Sequence, residues 1–361
     1  MLRAGLIGCP AVGKTTLFRL MTMTDDSDRP THGRTEAHVG ISRVPDERLD
    51  RLTAMYNPRK RVPATLELAD VAAMGRSSAQ ALLDLAAFRN ADALVHVVRA
   101  FRSESVPHVA GSVDAARDAL SMEDELILAD LGVLERRQER IAKDLKKSPS
   151  RELEQERGVL DRCQAALDDG QPLRTLELES TDAKRLRGFQ FLSAKPLLVV
   201  LNIDEQDLPR IDDAVTEAGL DAFARAPNIR VVPVCAPIEL EISELEADDA
   251  AAFLADLGLR ESGLDRVIRA SYDLLGYISF FTVGEDECRA WSIPRGVNAQ
   301  TAAGEIHSDL ERGFIRAEVV HYEALTSRGS YAACREHGEV RLEGKEYTVQ
   351  DGDILNIRFA T

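Results

Sequence analysis

Short apolar runs punctuate the chain at residues 2–7, 66–69, 93–98, 196–201 and 229–234. Each is rich in valine and leucine, and polar or helix-forming sequence separates it from the next. Buried parallel strands of an α/β domain carry this signature. Between the third and fourth runs the period changes. Ile127, Leu131, Leu134, Ile141 and Leu145 fall on one helical face, and Lys146-Lys147-Ser148-Pro149-Ser150 interrupts it. Leu153, Leu160 and Leu167 then recur at intervals of seven. This pattern predicts a helical hairpin inserted into the sheet domain over about residues 114–190. Such a hairpin is either a solvated pair of helices packed on each other or a partner-binding arm.

Past Gly276 the pattern changes again. It predicts strands at 278–283, 342–347 and 354–359, with the turn signal Asp351-Gly352 between the last two. It also predicts a helix at 299–311 with Asn298 as its N-cap. The reading is therefore of two domains: an α/β domain over 1–275 and a small α+β domain over 276–361.

Composition narrows the picture. The 361 residues are 44% hydrophobic and 29% charged, enough to bury a core, so disorder by composition is excluded. Acidic residues outnumber basic ones by 61 to 45, for a net charge of -16, which argues against a coater of duplex DNA. No apolar run approaches the roughly 18 residues of a membrane span. The start of the chain lacks a signal-peptide pattern, so a cytoplasmic protein without a membrane partner is expected. Five scattered cysteines without a CxxC pair argue against a zinc site or a disulfide framework.

The chemistry begins directly after the first run. Gly8-Cys9-Pro10-Ala11-Val12-Gly13-Lys14-Thr15 fits the G-x-x-x-x-G-K-[ST] phosphate loop, placed between a strand and a helix as the motif requires. Its glycines let successive N–H groups turn toward phosphate oxygens. Ala11, Val12, Gly13, Lys14, Thr15 and Thr16 are the expected phosphate-binding residues. Lys14 would neutralise the β- and γ-phosphates, and Thr15 would offer its hydroxyl to Mg²⁺. A carboxylate must complete the metal site. Asp70, at the end of the second run, is the candidate, unless it merely caps a helix. Asn202, Ile203, Asp204 and Glu205 close the fourth run. An amide and a carboxylate three residues apart there would read a purine edge, or form an ordinary polar loop. Cys235 and Ala236, closing the fifth run, would lay backbone N–H groups against the base.

Together these residues resemble the YchF family, the ATP-using branch of the Obg-type P-loop GTPases. The resemblance runs nearly end to end. It includes the phosphate loop with Thr16-Leu17-Phe18, Val39-Gly40, Val44-Pro45-Asp46, Arg48-Leu49, His96-Val97-Val98-Arg99, Lys195-Pro196 and residues 234–239. Arg289-Ala290-Trp291, Ala302-Ala303-Gly304-Glu305-Ile306-His307, residues 311–318 and Gln350-Asp351-Gly352-Asp353 are similar to the family's TGS domain, a β-grasp module. The resemblance implies a Ras-like P-loop domain with an inserted helical arm and a C-terminal TGS domain. In the family, N-x-x-E replaces the usual N-K-x-D guanine reader. Asn202 and Glu205 match that replacement, which implies ATP, or GTP, bound with Mg²⁺. The resemblance also implies contact with ribosomes or other RNA machinery, through the TGS domain and the arm, and roles in stress responses.

The chain departs from the family in its switches. D-x-x-G becomes Asp70-Val71-Ala72-Ala73, and Ala73 cannot reach positive φ cheaply. Met74 stands where ordinary GTPases carry the water-orienting Gln. The Gly-rich stretch that follows is shortened. The family's metal-binding Thr position falls on Arg34, with Thr35 one residue away as the candidate third metal ligand. Losing switch elements cuts turnover more than binding. The expectation is a molecular switch with slow ATP hydrolysis, whose ATP and ADP states reposition the arm and the TGS domain. The alternatives are a nucleotide-binding scaffold without useful hydrolysis and a ribosome- or RNA-binding module with a structural nucleotide. For the last, Arg289, Arg295, Arg312 and Arg316 would supply charge, although acidic residues interleave with them. No Arg-rich lid follows the nucleotide domain, which argues against a small-molecule kinase.

Overall fold

The computed structural model describes residues 2–22, 38–70, 85 and 87–360. Thr35, Ala73 and Met74 lie outside the described residues. The chain divides into two compact units: Met1–Ile41 with Glu67–Leu274, and Ser42–Leu66 with Leu275–Thr361. Among the described residues the strands form two six-stranded sheets.

The first sheet has the order β2-β4-β1-β5-β6-β7. These strands are β1 (Arg3–Ile7), β2 (His38–Arg43), β4 (Thr65–Asp70), β5 (Ala93–Arg99), β6 (Leu197–Asn202) and β7 (Ile229–Val234). From β4 to β7 every neighbouring pair is parallel. β5 and β6 are buried at every position, which is why they read as unbroken apolar runs. One face packs Leu94, Val98, Leu197, Val199 and Leu201 against Ala119 and Leu126 of the helix Ala115–Lys147. Each fully buried leucine or valine here stabilises the fold by about 1.5–3 kcal/mol. Because the strands are parallel and in register, Ile7, Asp70, Arg99, Asn202 and Val234 end at one edge of the sheet.

The insertion is a pair of helices, Ala115–Lys147 and Arg151–Asp168. The first stops at Ser148, and the Ser150 hydroxyl caps the second by accepting from the Leu153 N–H at 3.4 Å. Ile127, Leu134, Ile141, Leu160 and Leu167 form the arm's own core, with Leu131, Leu145 and Leu153 packed against it. Asp130 ties the arm to the chain entering β6. It is fully buried and accepts from the N–H groups of Leu192 at 2.9 Å and Ser193 at 2.7 Å, with Arg89 3.4 Å away.

The second sheet has the order β11-β10-β12-β8-β9-β3. Here β8 is Tyr277–Thr282, β9 Glu287–Pro294, β10 Phe314–His321, β11 Arg341–Glu343 and β12 Asp353–Phe359. The edge strand β3 (Lys60–Val62) comes from far earlier in the chain and pairs in parallel with β9. The single boundary expected near residue 275 therefore misses the segment Ser42–Leu66. Its helix Glu47–Tyr56 is capped by Asp46 and buries Leu49 and Leu52 completely. Arg48 bonds both Asp46 (2.8 Å) and Asp351 (2.8 Å), which fastens the segment to the turn before β12.

Two further expectations change. The helix expected over 299–311 is two, Ala299–Ile306 and Ser308–Arg312. His307 is extended between them, with φ -163°, and its Nδ1 accepts from the Asp309 N–H at 3.1 Å. The strand expected over 342–347 is only the three-residue β11. Asn298 does cap its helix, accepting from the Thr301 N–H at 3.0 Å.

Asp130→Ala would strand two buried N–H groups and remove the carboxylate partner of Arg89. It is expected to lower the unfolding free energy by about 3 kcal/mol or more in urea titration, and Asp130→Asn by less, since one amide oxygen still accepts.

Candidate functional site

The loop leaving β1 turns through positive φ at Gly8 (142°), Ala11 (58°) and Gly13 (100°). Gly8 is required sterically, because a Cβ there would sit 2.4 Å from the Val97 carbonyl oxygen. At Gly13 it would sit 2.5 Å from Asn202 Nδ2. Ala11 carries a Cβ in the left-handed region, a local strain of about 1–2 kcal/mol. Alternating backbone hand in such a loop turns N–H groups to one side as an anion-binding concavity. The helix Lys14–Thr22 follows directly, with Leu17 N–H bonded to Gly13 O at 3.0 Å, and adds its positive N-terminal end.

Lys14 folds back over the loop. Its Nζ donates to Gly8 O at 2.8 Å and Cys9 O at 2.6 Å, and the residue is 8% exposed. Burial pushes its pKa below the ordinary lysine range, while the negative charge of Asp70 pulls it back up. Asp70 ends β4 beside Leu6 of β1. It is 4% exposed, and its Oδ1 has no hydrogen-bond partner among the described residues. Burial raises its carboxyl pKa, opposed by Lys14 and His38. A buried, unpartnered carboxylate oxygen coupled to the phosphate-loop lysine fits a hard divalent cation. Thr15, the second residue of the same helix, is exposed and carries the hydroxyl expected at that position.

His96 lies close to Gly8, fully buried, with Nδ1 unpartnered among the described residues. Burial, reinforced by the charge of Lys14, takes its pKa down to about 3, so the ring is neutral. Lys14 and Asp70 are left as the charged pair of the site.

Asn202 joins two loops. Its Nδ2 donates to Val12 O at 3.0 Å and its Oδ1 accepts from Ala236 N–H at 3.2 Å, so the amide clamps the phosphate loop to the turn after β7. One Nδ2 hydrogen remains for a ligand. Ile203 is 2% exposed and packs in the core with Leu201 and Leu208, where an ammonium would not be tolerated. Asp204 accepts from the Arg102 N–H at 2.9 Å, which holds the neighbouring loop. Glu205 is exposed, and Cys235 is buried with its thiol pKa raised by burial. The expected residues of the phosphate loop, Asp70, Asn202, Glu205, Cys235 and Ala236 all lie along one sheet edge.

The sequence reading gave Arg99 no site role beyond its place in the resemblance. It ends β5 opposite Asn202, is 2% exposed, and has no ion-pair partner among the described residues. Its Nε donates to Phe101 O at 3.0 Å, and its guanidinium stacks 4.3 Å above the Phe101 ring. Its sequence signals were a cation ending a valine-rich strand and its place in the His96-Val97-Val98-Arg99 motif of the resemblance. In the second unit, two of the four arginines considered as RNA contacts are engaged locally. Arg289 stacks on Trp291, and Arg312 pairs with Asp309 at 2.6 Å.

Comparison with known proteins places this architecture. The family model YchF-GTPase_C, described as a protein of unknown function (DUF933), matches residues 277–360. The chain is 42% identical over 363 residues to the "Ribosome-binding ATPase YchF" of Bacillus subtilis (strain 168), covering 99% of each. The chain belongs to the YchF family. The "Obg-like ATPase 1" of Oryza sativa subsp. japonica is 34% identical, over 99% of this chain and 92% of that protein. The solved structure of the Schizosaccharomyces pombe YchF GTPase superposes with a TM-score of 0.83 at 30% identity, covering 99% of this chain and 97% of that one. This YchF-family chain thus shares its fold along its whole length with a solved relative.

Two outcomes test the site. Asn202→Ala is expected to cost about 1–3 kcal/mol and to speed amide exchange in both loops it joins. His96 is neutral in the fold down to about pH 3, whereas the unfolded residue takes up a proton below the ordinary histidine value of 6.5. Its contribution is therefore full above pH 6.5 and lost as pH falls toward 3. Relative to His96→Leu, the protein is expected to lose up to about 1.4 kcal/mol per pH unit across that window, measured by urea midpoints.

Proposed function

We propose that this protein is a nucleotide-dependent switch that acts at the ribosome, binding ATP with Mg²⁺ and hydrolysing it slowly. The observation that carries the reading is the buried Lys14–Asp70 pair beneath a loop turned through positive φ. The loop's N–H groups and Lys14 would hold the β- and γ-phosphates, with Lys14 exchanging its bonds to Gly8 O and Cys9 O for phosphate oxygens. Thr15 and Asp70 would hold Mg²⁺, with Thr35 the third ligand proposed from sequence; the ion would neutralise phosphate charge. The names of the bacterial relatives support the ribosome as partner.

The base motif supports ATP. Asn202 keeps one N–H for a purine acceptor, and Ile203 supplies no lysine stem across the ring. Glu205 carries its carboxylate one methylene beyond an Asp, which displaces it from the donors that guanine would present. Slow turnover is supported by residues 73 and 74, where Ala and Met supply neither a freely turning backbone nor a water-orienting amide. The same two residues favour a second reading, a nucleotide-binding scaffold without hydrolysis.

Calorimetric titration with ATP and with GTP, both with Mg²⁺, is expected to show ATP binding more tightly, and Glu205→Asp to narrow the difference by about tenfold, or about 1.4 kcal/mol. Equal affinities would remove the base assignment. Lys14→Ala is expected to weaken ATP binding by about 10- to 100-fold, the loss of hydrogen bonds from a charged donor. Phosphate release by the wild type no faster than by that variant would leave the scaffold reading. Affinity is also expected to depend on pH at both ends. It falls on the alkaline side below the ordinary lysine range, because burial lowers Lys14, and on the acid side above the ordinary aspartate range, because burial raises Asp70.

A further inference from the structure

At the end of the first sheet where β5 and β6 begin, the chain leaves a cavity of about 290 Å³. Its inner wall is apolar. Leu173, Leu186 and Phe191 are buried there, and Leu178 is half-buried beside them. The buried charge of this wall is Lys195, 8% exposed. Its Nζ donates to Ala91 O at 2.6 Å and Arg89 O at 2.9 Å, in the segment that leads into β5. An ammonium has three N–H groups, and the third has no partner among the described residues. Lys195 also makes no ion pair among them. Asp130 is committed to the N–H groups of Leu192 and Ser193 and to Arg89, and Asp92 accepts from the Arg3 N–H at 2.9 Å. Burial holds the Lys195 pKa below the ordinary lysine range, and the charges of Asp92 and Asp130 offset this only in part. Arg187, on the rim, is exposed and makes no ion pair among the described residues.

We propose that this cavity binds a small amphipathic carboxylate, with its apolar tail among Leu173, Leu186 and Phe191 and its carboxylate on Lys195. Small-molecule sites are mostly apolar, with a few placed polar groups that fix orientation. Water fills an apolar-walled space poorly, and an empty one forfeits the dispersion contacts of its lining. A carboxylate takes the third N–H of Lys195 in a charge-assisted bond and neutralises a cation that the protein desolvates without pairing. An amine would meet that cation with a like charge. Lys195 and Pro196 precede β6, whereas Asn202 ends it. The six residues of β6, about 20 Å at the rise of a strand, therefore separate this cavity from the phosphate-loop edge. The two sites share no residue, and the carboxylate site stands whether or not the nucleotide reading does.

The test is titration of the full chain with sodium octanoate, octan-1-ol and octylamine, read from the ligand signals by NMR. Octanoate is expected to bind saturably, octanol at least about tenfold more weakly, and octylamine not at all. Lys195→Met keeps the stem and removes the charge. It is expected to weaken octanoate by about 10- to 100-fold, the loss of a bond from a charged donor, and to leave octanol unchanged. Ala183 is exposed on the rim, so Ala183→Phe is expected to melt as the wild type does and to weaken octanoate and octanol alike, by about tenfold or more. Arg187→Ala is expected to weaken octanoate by at most about fivefold, as suits an exposed charge. ATP titrations of these variants are expected to match the wild type. No saturable octanoate binding, octylamine binding as tightly as octanoate, or octanol binding as tightly as octanoate would overturn the proposal. Should Lys195→Met not fold, Ala183→Phe decides: octanoate affinity unchanged in that variant places the ligand elsewhere, and the cavity assignment falls.

Discussion

A buried ammonium coupled to a buried carboxylate governs the first unit. Lys14 and Asp70 are each more than nine-tenths buried at the ends of neighbouring elements, and burial pushes each toward its neutral form. Such a pair persists only if the backbone around it is over-determined. Gly8 is pressed against the Val97 carbonyl, Gly13 against Asn202, and Asn202 in turn against the turn after β7. The cation is held by two carbonyl oxygens rather than by a carboxylate, so its charge stays available. The carboxylate keeps one oxygen without a partner among the described residues. A site with unspent charge of both signs, fixed by packing, is arranged for a polyanion and a hard cation together.

The second unit meets its own constraint differently. A short chain with a six-stranded sheet has edges to protect. One edge is closed by β3, borrowed from residues that precede most of the first unit, and the borrowed segment is held by Leu49, Leu52 and the Arg48–Asp351 pair. Arg48 is pinned between Asp46 and Asp351 and also lies 5.2 Å above the Phe281 ring. The same sheet places Arg316 opposite Arg358, a like-charge pairing with a local cost.

Much of this was legible beforehand. The apolar runs announced β1, β4, β5, β6 and β7, because buried parallel strands need no alternation. The leucine spacing announced the arm, because its two helices bury one stripe each against the other. The phosphate loop was legible because three of its positions have no freedom: two glycines and a lysine. The split of the helix at His307 was not, since an extended histidine capping the next helix looks like any other residue in a helical stretch. Nor was Arg99, whose burial depends on the Phe101 ring that folds beneath it.

The sequence by itself determined the local chemistry: strand, loop and helix around Gly8 to Thr15, the caps at Asp46, Ser150 and Asn298, and the carboxylate ending β4. These depend on neighbours within a few residues, where periodicity and capping act. Only the tertiary structure decided which distant residues meet. It placed Ser42–Leu66 with the C-terminal sheet, turned Asn202 into a clamp between two loops, buried Ile203 in the core, and gathered Arg335 and Arg358 around Glu318. Those outcomes follow from strand order and register, which bring together residues up to hundreds of positions apart and leave no periodic trace in the chain.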